Sequence, residues 1–135
     1  MIRITTRGRY ALRASLALAK LGKDGTMVSI NSLAEAEDIS SVFLEQIFFK
    51  LRKAGIVNSV RGPGGGFSFA LPLDKLSVRT ILDAAGEDLS ASNCDKHSEE
   101  CDRTGKCISH KVWMDLNDLV NEYLDSLTLA ALLER

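Results

Sequence analysis

The chain has 135 residues, enough for one domain with a single appended element and a modest core. Its 17 Lys and Arg nearly balance 18 Asp and Glu, but residues 1–71 hold ten of the cations and five of the acids. That split excludes phosphate binding by the acidic back half and leaves it open for the basic front half.

Residues 1–6 read as short and irregular, with Thr6 able to cap a helix running to about Leu21. Leu12, Leu16 and Ala19 fall on one side of that Ala- and Leu-rich helix, which is expected to be largely buried. Arg3, Arg7, Arg9 and Arg13 gather at its start, where cations oppose the helix dipole, and a phosphate partner would offset that cost. The run Tyr10 to Gly22 is apolar but broken by Arg13 and Lys20, with no cleavage site after it. It reads neither as a secretory leader nor as a membrane span, and the expected address is the cytoplasm.

After a turn at Gly22 to Gly25, Met27 to Ile30 is expected to add a short strand to a sheet formed further on. Ser32 to Glu37 makes a short helix, followed by a tight turn at Asp38-Ile39. A second helix follows, capped by Ser40 or Ser41, with an apolar stripe of Phe43, Ile47, Leu51 and Ala54 and a stop at Gly55. Ile56 to Arg61 then reads as a strand, Gly62-Pro63-Gly64-Gly65-Gly66 as a turn, and Phe67 to Leu71 as the returning strand. Two helices joined tightly, the second ending in a hairpin, outline a winged helix-turn-helix, the geometry that places one helix in a DNA major groove.

The candidate DNA contacts follow from that outline. Ser40, Ser41, Val42 and Phe43 lie at the start of the second helix, where residues approach bases and phosphates. Glu45 and Gln46 present polar groups to the groove: Gln46 can pair with an adenine edge, and Glu45 can accept from cytosine while repelling phosphates. Arg61 lies at the wing base, where a narrow minor groove attracts cations. Lys50, Gly64 in the wing turn, and Arg3 and Arg7 complete the set. The competing reading makes the same helix an ordinary solvated face and the fold a protein-interaction module.

Past Leu71-Pro72, Ser77 caps a short helix of Val78, Ile81, Leu82 and Ala85, stopped by Gly86. Glu87 to Asn93 is polar and loop-like. Cys94 to Lys106 has no apolar residue besides its cysteines, so it cannot order itself by burying a core. Helical periodicity returns from Ile108 to about Ser126, with Val112, Leu116, Leu119, Tyr123 and Leu127 in one stripe and Trp113, Val120 and Leu124 widening it. So much apolar surface predicts packing against a second copy, with packing on the first helix of the same chain as the alternative. Thr128 caps a last turn, Leu129 to Leu133. The fold expected is therefore mainly α with a small β-wing: residues 1–86 a DNA-binding domain, 87–107 a cysteine-rich loop, 108–135 a dimerisation helix and terminal turn.

Cys94-x6-Cys101-x5-Cys107-x2-His110 supplies three thiolates and an imidazole. Three cysteines cannot all pair within one chain, and soft thiolates select zinc, copper(I) or an iron–sulfur cluster. The tight C-x2-C knuckles of zinc ribbons are absent, and wider gaps around one centre suit a cluster. His97 follows Cys94 as His110 follows Cys107, so two histidines compete to be the fourth ligand. His110 is favoured because it begins a well-anchored helix that is cheap to order. A redox thiol switch with no metal is the rival. With no P-loop, dinucleotide fingerprint or recognisable catalytic constellation, an enzyme is not expected.

LEQIFFKLRKAGIVNSVRGPGGGF, with TTRGRYALRA near the start, the cysteine segment, and TLAALL near the end, resembles the iron–sulfur-cluster regulator (IscR) family of bacterial winged-helix transcription factors. The resemblance covers nearly the whole chain, and RGPGGG is its most specific piece. It implies a homodimer on a near-palindromic double-stranded operator, with Glu45 as a specificity filter. It also implies Cys94, Cys101, Cys107 and His110 as ligands of a cluster, [2Fe–2S] in that branch. The first gap holds six residues where that branch usually has five, which leaves [4Fe–4S] as the alternative. The related nitric-oxide sensors take an acidic ligand at the position held here by Arg9, which cannot ligate iron.

Overall fold

The computed structural model describes residues 2–90 and 107–135. Helix α1 spans Thr6–Leu21, and Thr5, not Thr6, is its N-cap. Thr6 is already helical, and the Thr5 hydroxyl makes no cap bond because it donates to the Glu87 carboxylate instead. Helix α2 (Ile30–Glu37) begins two residues before Ser32, because Ser29 caps it by accepting the Ser32 N–H at 3.1 Å. The strand expected at Met27 to Ile30 therefore shrinks to one bridge, in which Val28 and Phe67 exchange backbone bonds of 2.9 and 2.8 Å. Asp38 takes a left-handed conformation (φ 53°), which ends α2 and makes the turn tight.

Helix α3 (Ser41–Lys53) is capped by Ser40, whose hydroxyl accepts the Phe43 N–H at 3.4 Å. Its buried line is Leu44, Ile47, Phe48 and Leu51. Ala54 is exposed and Phe43 only half-buried, so the stripe expected through Phe43 and Ala54 is rotated toward Leu44 and Phe48. The cause is that α3 is wedged between α1 and α2 on one side and the wing on the other. Phe43 settles at the edge, its ring 5.6 Å from Tyr10 in a T-shaped contact.

Strands β1 (Val57–Val60) and β2 (Gly66–Phe69) form the antiparallel wing, registered from Val57 opposite Phe69 to Val60 opposite Gly66. Gly66 has φ 146°, and a Cβ there would lie 2.3 Å from the Val28 carbonyl oxygen, so the wing can dock on that segment only through a glycine. A 3-10 turn (Leu73–Lys75) leads to α4 (Val78–Ala84), where Ser77 accepts the Thr80 N–H at 3.1 Å. The core gathers Leu18, Leu33, Leu44, Ile47, Phe48, Leu51, Leu76, Ile81 and Leu129, all nearly inaccessible to water.

Helix α5 (Ile108–Ser126) and α6 (Leu129–Leu133), the latter capped by Thr128, close the chain. The end of α5 packs on α4 through the Arg79–Asp125 pair at 2.8 Å and the clustering of Leu124 and Leu127 with Val78, Leu82 and Leu89, a cluster that Leu12 of α1 also joins. Backbone bonds from Val78 to Leu127 (2.8 Å) and from Leu129 to Leu76 (2.9 Å) fix this junction more firmly than an exposed ion pair could. Asn117 is the buried residue of α5, while Ile108, Val112, Leu119 and Tyr123 are largely exposed. No helix among the described residues is long and apolar enough to cross a membrane.

Candidate functional site

The outward face of α3 carries Val42, 63% exposed, with Glu45, Gln46 and Phe49 along the same side. Ser40 and Ser41 sit at its N-terminal end, where backbone N–H groups favour an anion. Beside that end, Arg3, Arg7 and Arg9 line a shallow cavity together with Phe43, and no carboxylate among the described residues contributes to its wall. Three cations of the basic front half thus converge next to the helix that reads as the groove-entering one.

These cations are not equivalent. Arg3 is exposed, and the Arg9 guanidinium donates to the Thr6 hydroxyl at 3.2 Å. Arg7 turns inward: it donates to the Gly86 carbonyl at 3.2 Å, and its Nε is buried with no partner among the described residues. Lys50 reaches the same place, its Nζ 3.4 Å from where a Cβ on Gly86 would stand. Both therefore lie at the carbonyl end of α4, where the helix dipole favours cations. Arg13, grouped with the others by sequence, pairs with Glu37 at 3.2 Å and lies over the Tyr10 ring at 5.2 Å, tying α1 to α2.

Arg61 is exposed just past β1, and Gly64 forms the wing turn with φ 76°. Between α3 and the wing runs a groove of about 740 Å³. Glu45, Phe49 and Arg52 face it from the helix, Asn31 from α2, and Val60 and Arg61 from the wing. Phe49, Arg52 and Asn31 were not singled out by sequence, although a large aromatic on the polar side of an amphipathic helix was a usable signal.

Glu87 lies in the loop expected after α4 and is also a structural centre. Its carboxylate accepts the Thr5 N–H (3.2 Å) and Thr5 hydroxyl, and also bonds the Gly8 N–H. It therefore caps α1 from 82 residues away, the task a local Ser or Thr performs elsewhere in the chain. Burial alone would raise this carboxyl, but the Thr5 and Gly8 donors and the Arg7 guanidinium outweigh it and hold it below the usual carboxylate range.

Of the four sequence-predicted metal ligands, Cys94 and Cys101 lie outside the described residues, as does the competing His97. Cys107 is the N-cap residue of α5, a half-buried thiol whose Sγ lies 2.9 Å from the Ser109 hydroxyl. His110 follows one helical turn later, its backbone N–H bonded to the Cys107 carbonyl at 3.2 Å. Its Nδ1 is buried and has no hydrogen-bond partner among the described residues. An imidazole nitrogen withdrawn from water and unmatched among the described residues, one turn from a thiol, fits a soft metal centre.

A sequence profile of the Rrf2 family, described as an iron-dependent transcriptional regulator, matches residues 4–135. The chain is 38% identical over 133 residues to the HTH-type transcriptional regulator IscR of Aliivibrio salmonicida, covering 98% of this chain and 77% of that one. Among solved structures, T. potens IscR superimposes with a TM-score of 0.78 at 31% identity, covering 98% of this chain and 87% of that one. Staphylococcus aureus CymR in its oxidized form gives a TM-score of 0.73 at 30% identity, covering 99% of this chain and 98% of that one.

Proposed function

Since this chain belongs to the Rrf2 family of transcriptional regulators, and is therefore a DNA-binding regulator rather than an enzyme, we propose that it works as a cytoplasmic homodimer whose DNA binding reports on an iron–sulfur cluster. Helix α3 would enter the major groove, with Val42, Phe43, Glu45 and Gln46 toward base edges and Ser40 and Ser41 on phosphate. Arg61 and Gly64 would follow the wing into the minor groove, and Arg3 would take a backbone phosphate. Arg7 and Lys50, held at Gly86, enter this reading through their field rather than by direct contact. Two-fold pairing through α5 would set the recognition helices about 34–36 Å apart, one turn of duplex, and make the operator near-palindromic.

The observation that carries the sensing part is the buried Nδ1 of His110, which has no partner among the described residues. In this reading Cys94, Cys101, Cys107 and His110 hold the cluster, and a [2Fe–2S] centre would supply the redox- and supply-sensitive chemistry. A neutral imidazole binds iron less tightly than a thiolate and must shed its proton first. Anaerobic reconstitution with iron and sulfide, followed by visible absorption, tests the assignment. His110→Ala should leave a folded protein with a labile or absent chromophore, while His97→Ala should keep the wild-type spectrum. Loss of colour in the His97 variant, with retention in the His110 variant, would move the fourth ligand into the preceding loop.

A second reading, thiol sensing without metal, gains support from the similarity to CymR solved in an oxidized form. A colourless protein, with or without zinc, whose DNA affinity changes on thiol oxidation would favour it. The same purification decides between the two.

A further inference from the structure

The groove between α3 and the wing carries a pattern that the roles proposed above do not use. Phe49 is 55% exposed and Val60 is 56% exposed, and both face it. Water gains nothing from two bare apolar side chains on facing walls, so a protein that keeps them so has something to set against them. Among them stand Arg52 and Arg61, with Glu45 the one carboxylate among the described residues of the lining. The Arg52 guanidinium lies 5.6 Å from the Phe49 ring centroid, in cation–π range, and enters no ion pair among the described residues. The ring therefore holds the guanidinium over the groove instead of leaving it to wander through solvent.

The occupant must be apolar in part and anionic in part. A single sugar–phosphate strand is that: deoxyribose faces alternating with phosphates. The position agrees, because the strand that divides the major groove from the minor must pass between a helix seated in one and a wing seated in the other. We propose that Phe49 and Arg52, with Asn31 opposite, form a clamp for that strand. Arg52 contacts a phosphate, Phe49 packs on the adjoining sugar and positions Arg52, and Asn31 donates to the same backbone. The inference rests on the DNA-binding reading of the preceding subsection. It adds contacts that are indifferent to base sequence and so contribute affinity rather than specificity.

The test measures affinity of the full chain for two duplexes, one selected by the wild-type protein from a random pool and one of arbitrary sequence, across a salt series. Arg52→Ala should weaken both by a similar factor, roughly tenfold, and reduce the salt slope by about one phosphate's worth. Arg52→Lys should restore the slope, because the charge remains, while recovering only part of the affinity. Phe49→Ala should cost severalfold, and should cost less in the Arg52→Ala background, where its contact with the sugar remains but the guanidinium it positions is gone. Both positions are exposed, so thermal unfolding should stay near wild type. Wild-type affinity and slope in Arg52→Ala, alongside tight binding by the parent, would overturn the clamp alone. A parent that binds neither duplex at low salt would overturn the clamp together with the DNA-binding reading.

Discussion

Glu87 shows how one side chain can organise distant backbone. Its carboxyl is held below its ordinary value of 4.5, so the native state favours the charged form. Its contribution is complete above that ordinary value and is lost as pH falls through it toward the lowered native one. Glu87→Gln should therefore lower stability near neutral pH and flatten the acid limb of a plot of melting temperature against pH. An acid limb identical to wild type would show that other carboxylates dominate. Gly8→Ala probes the same contact from the opposite side: its Cβ would lie 2.6 Å from the Glu87 Cγ, an overlap expected to cost about 1–3 kcal/mol in denaturant unfolding. Sequence could give the caps at Ser40, Ser77 and Thr128 because each accepts from a residue three positions on. It could not give Glu87, whose partners are distant in the chain and brought near only by the packing of α4 on α1.

Among the elements, α3 and α5 show where periodicity informs and where it stops. In α3, apolar residues occupy 42, 43, 44, 47, 48, 49 and 51, an arc so wide that spacing alone cannot choose its centre. Neighbours choose it, turning Leu44 and Phe48 inward and leaving Val42 and Phe49 for the outside. In α5 the expected span and the observed one agree, and the stripe is clear. Its end is used within the chain, against α4, and the face with Val112, Leu119 and Tyr123 stays uncovered. Replacing Val112 and Leu119 together by Glu should therefore yield a folded monomer by sedimentation that binds duplex poorly, because two half-sites are no longer engaged at once. A wild-type chain that sediments as a monomer at micromolar concentration would remove the two-fold assembly.

Taken whole, the molecule separates its charges along the chain: a basic front half containing α1, α3 and the wing, and an acidic remainder. The remainder should be repelled by a phosphate backbone, which orients the protein before any contact forms. Raising salt from 50 to 200 mM should lower duplex affinity steeply, by about 10³-fold or more if six or more phosphates are neutralised. A shallow dependence would mean that the front-half arginines lie away from the backbone. The winged architecture was legible because its signals are local: caps, a left-handed turn, a glycine-rich hairpin. The candidate site was legible in part. Residue types along α3 could be named, but the inward turn of Arg7 and Lys50 depends on Gly86, and the pairing of Arg13 depends on Glu37.

The α4–α5 junction has a consequence for how the chain reaches this state. Val78 donates its N–H to the Leu127 carbonyl and Leu76 accepts from the Leu129 N–H, while the start of α1 is capped by Glu87. During synthesis α1 leaves the ribosome before α4 and α5, yet its beginning stays unfinished until Glu87, some eighty residues on, has emerged, and α4 waits for residues 127–129. Contacts of such separation must meet their loop-closure entropy before they return anything. Acquisition of the native state should accordingly wait until residues 127–129 have been made, with nascent chains that stop before residue 127 still open to proteases.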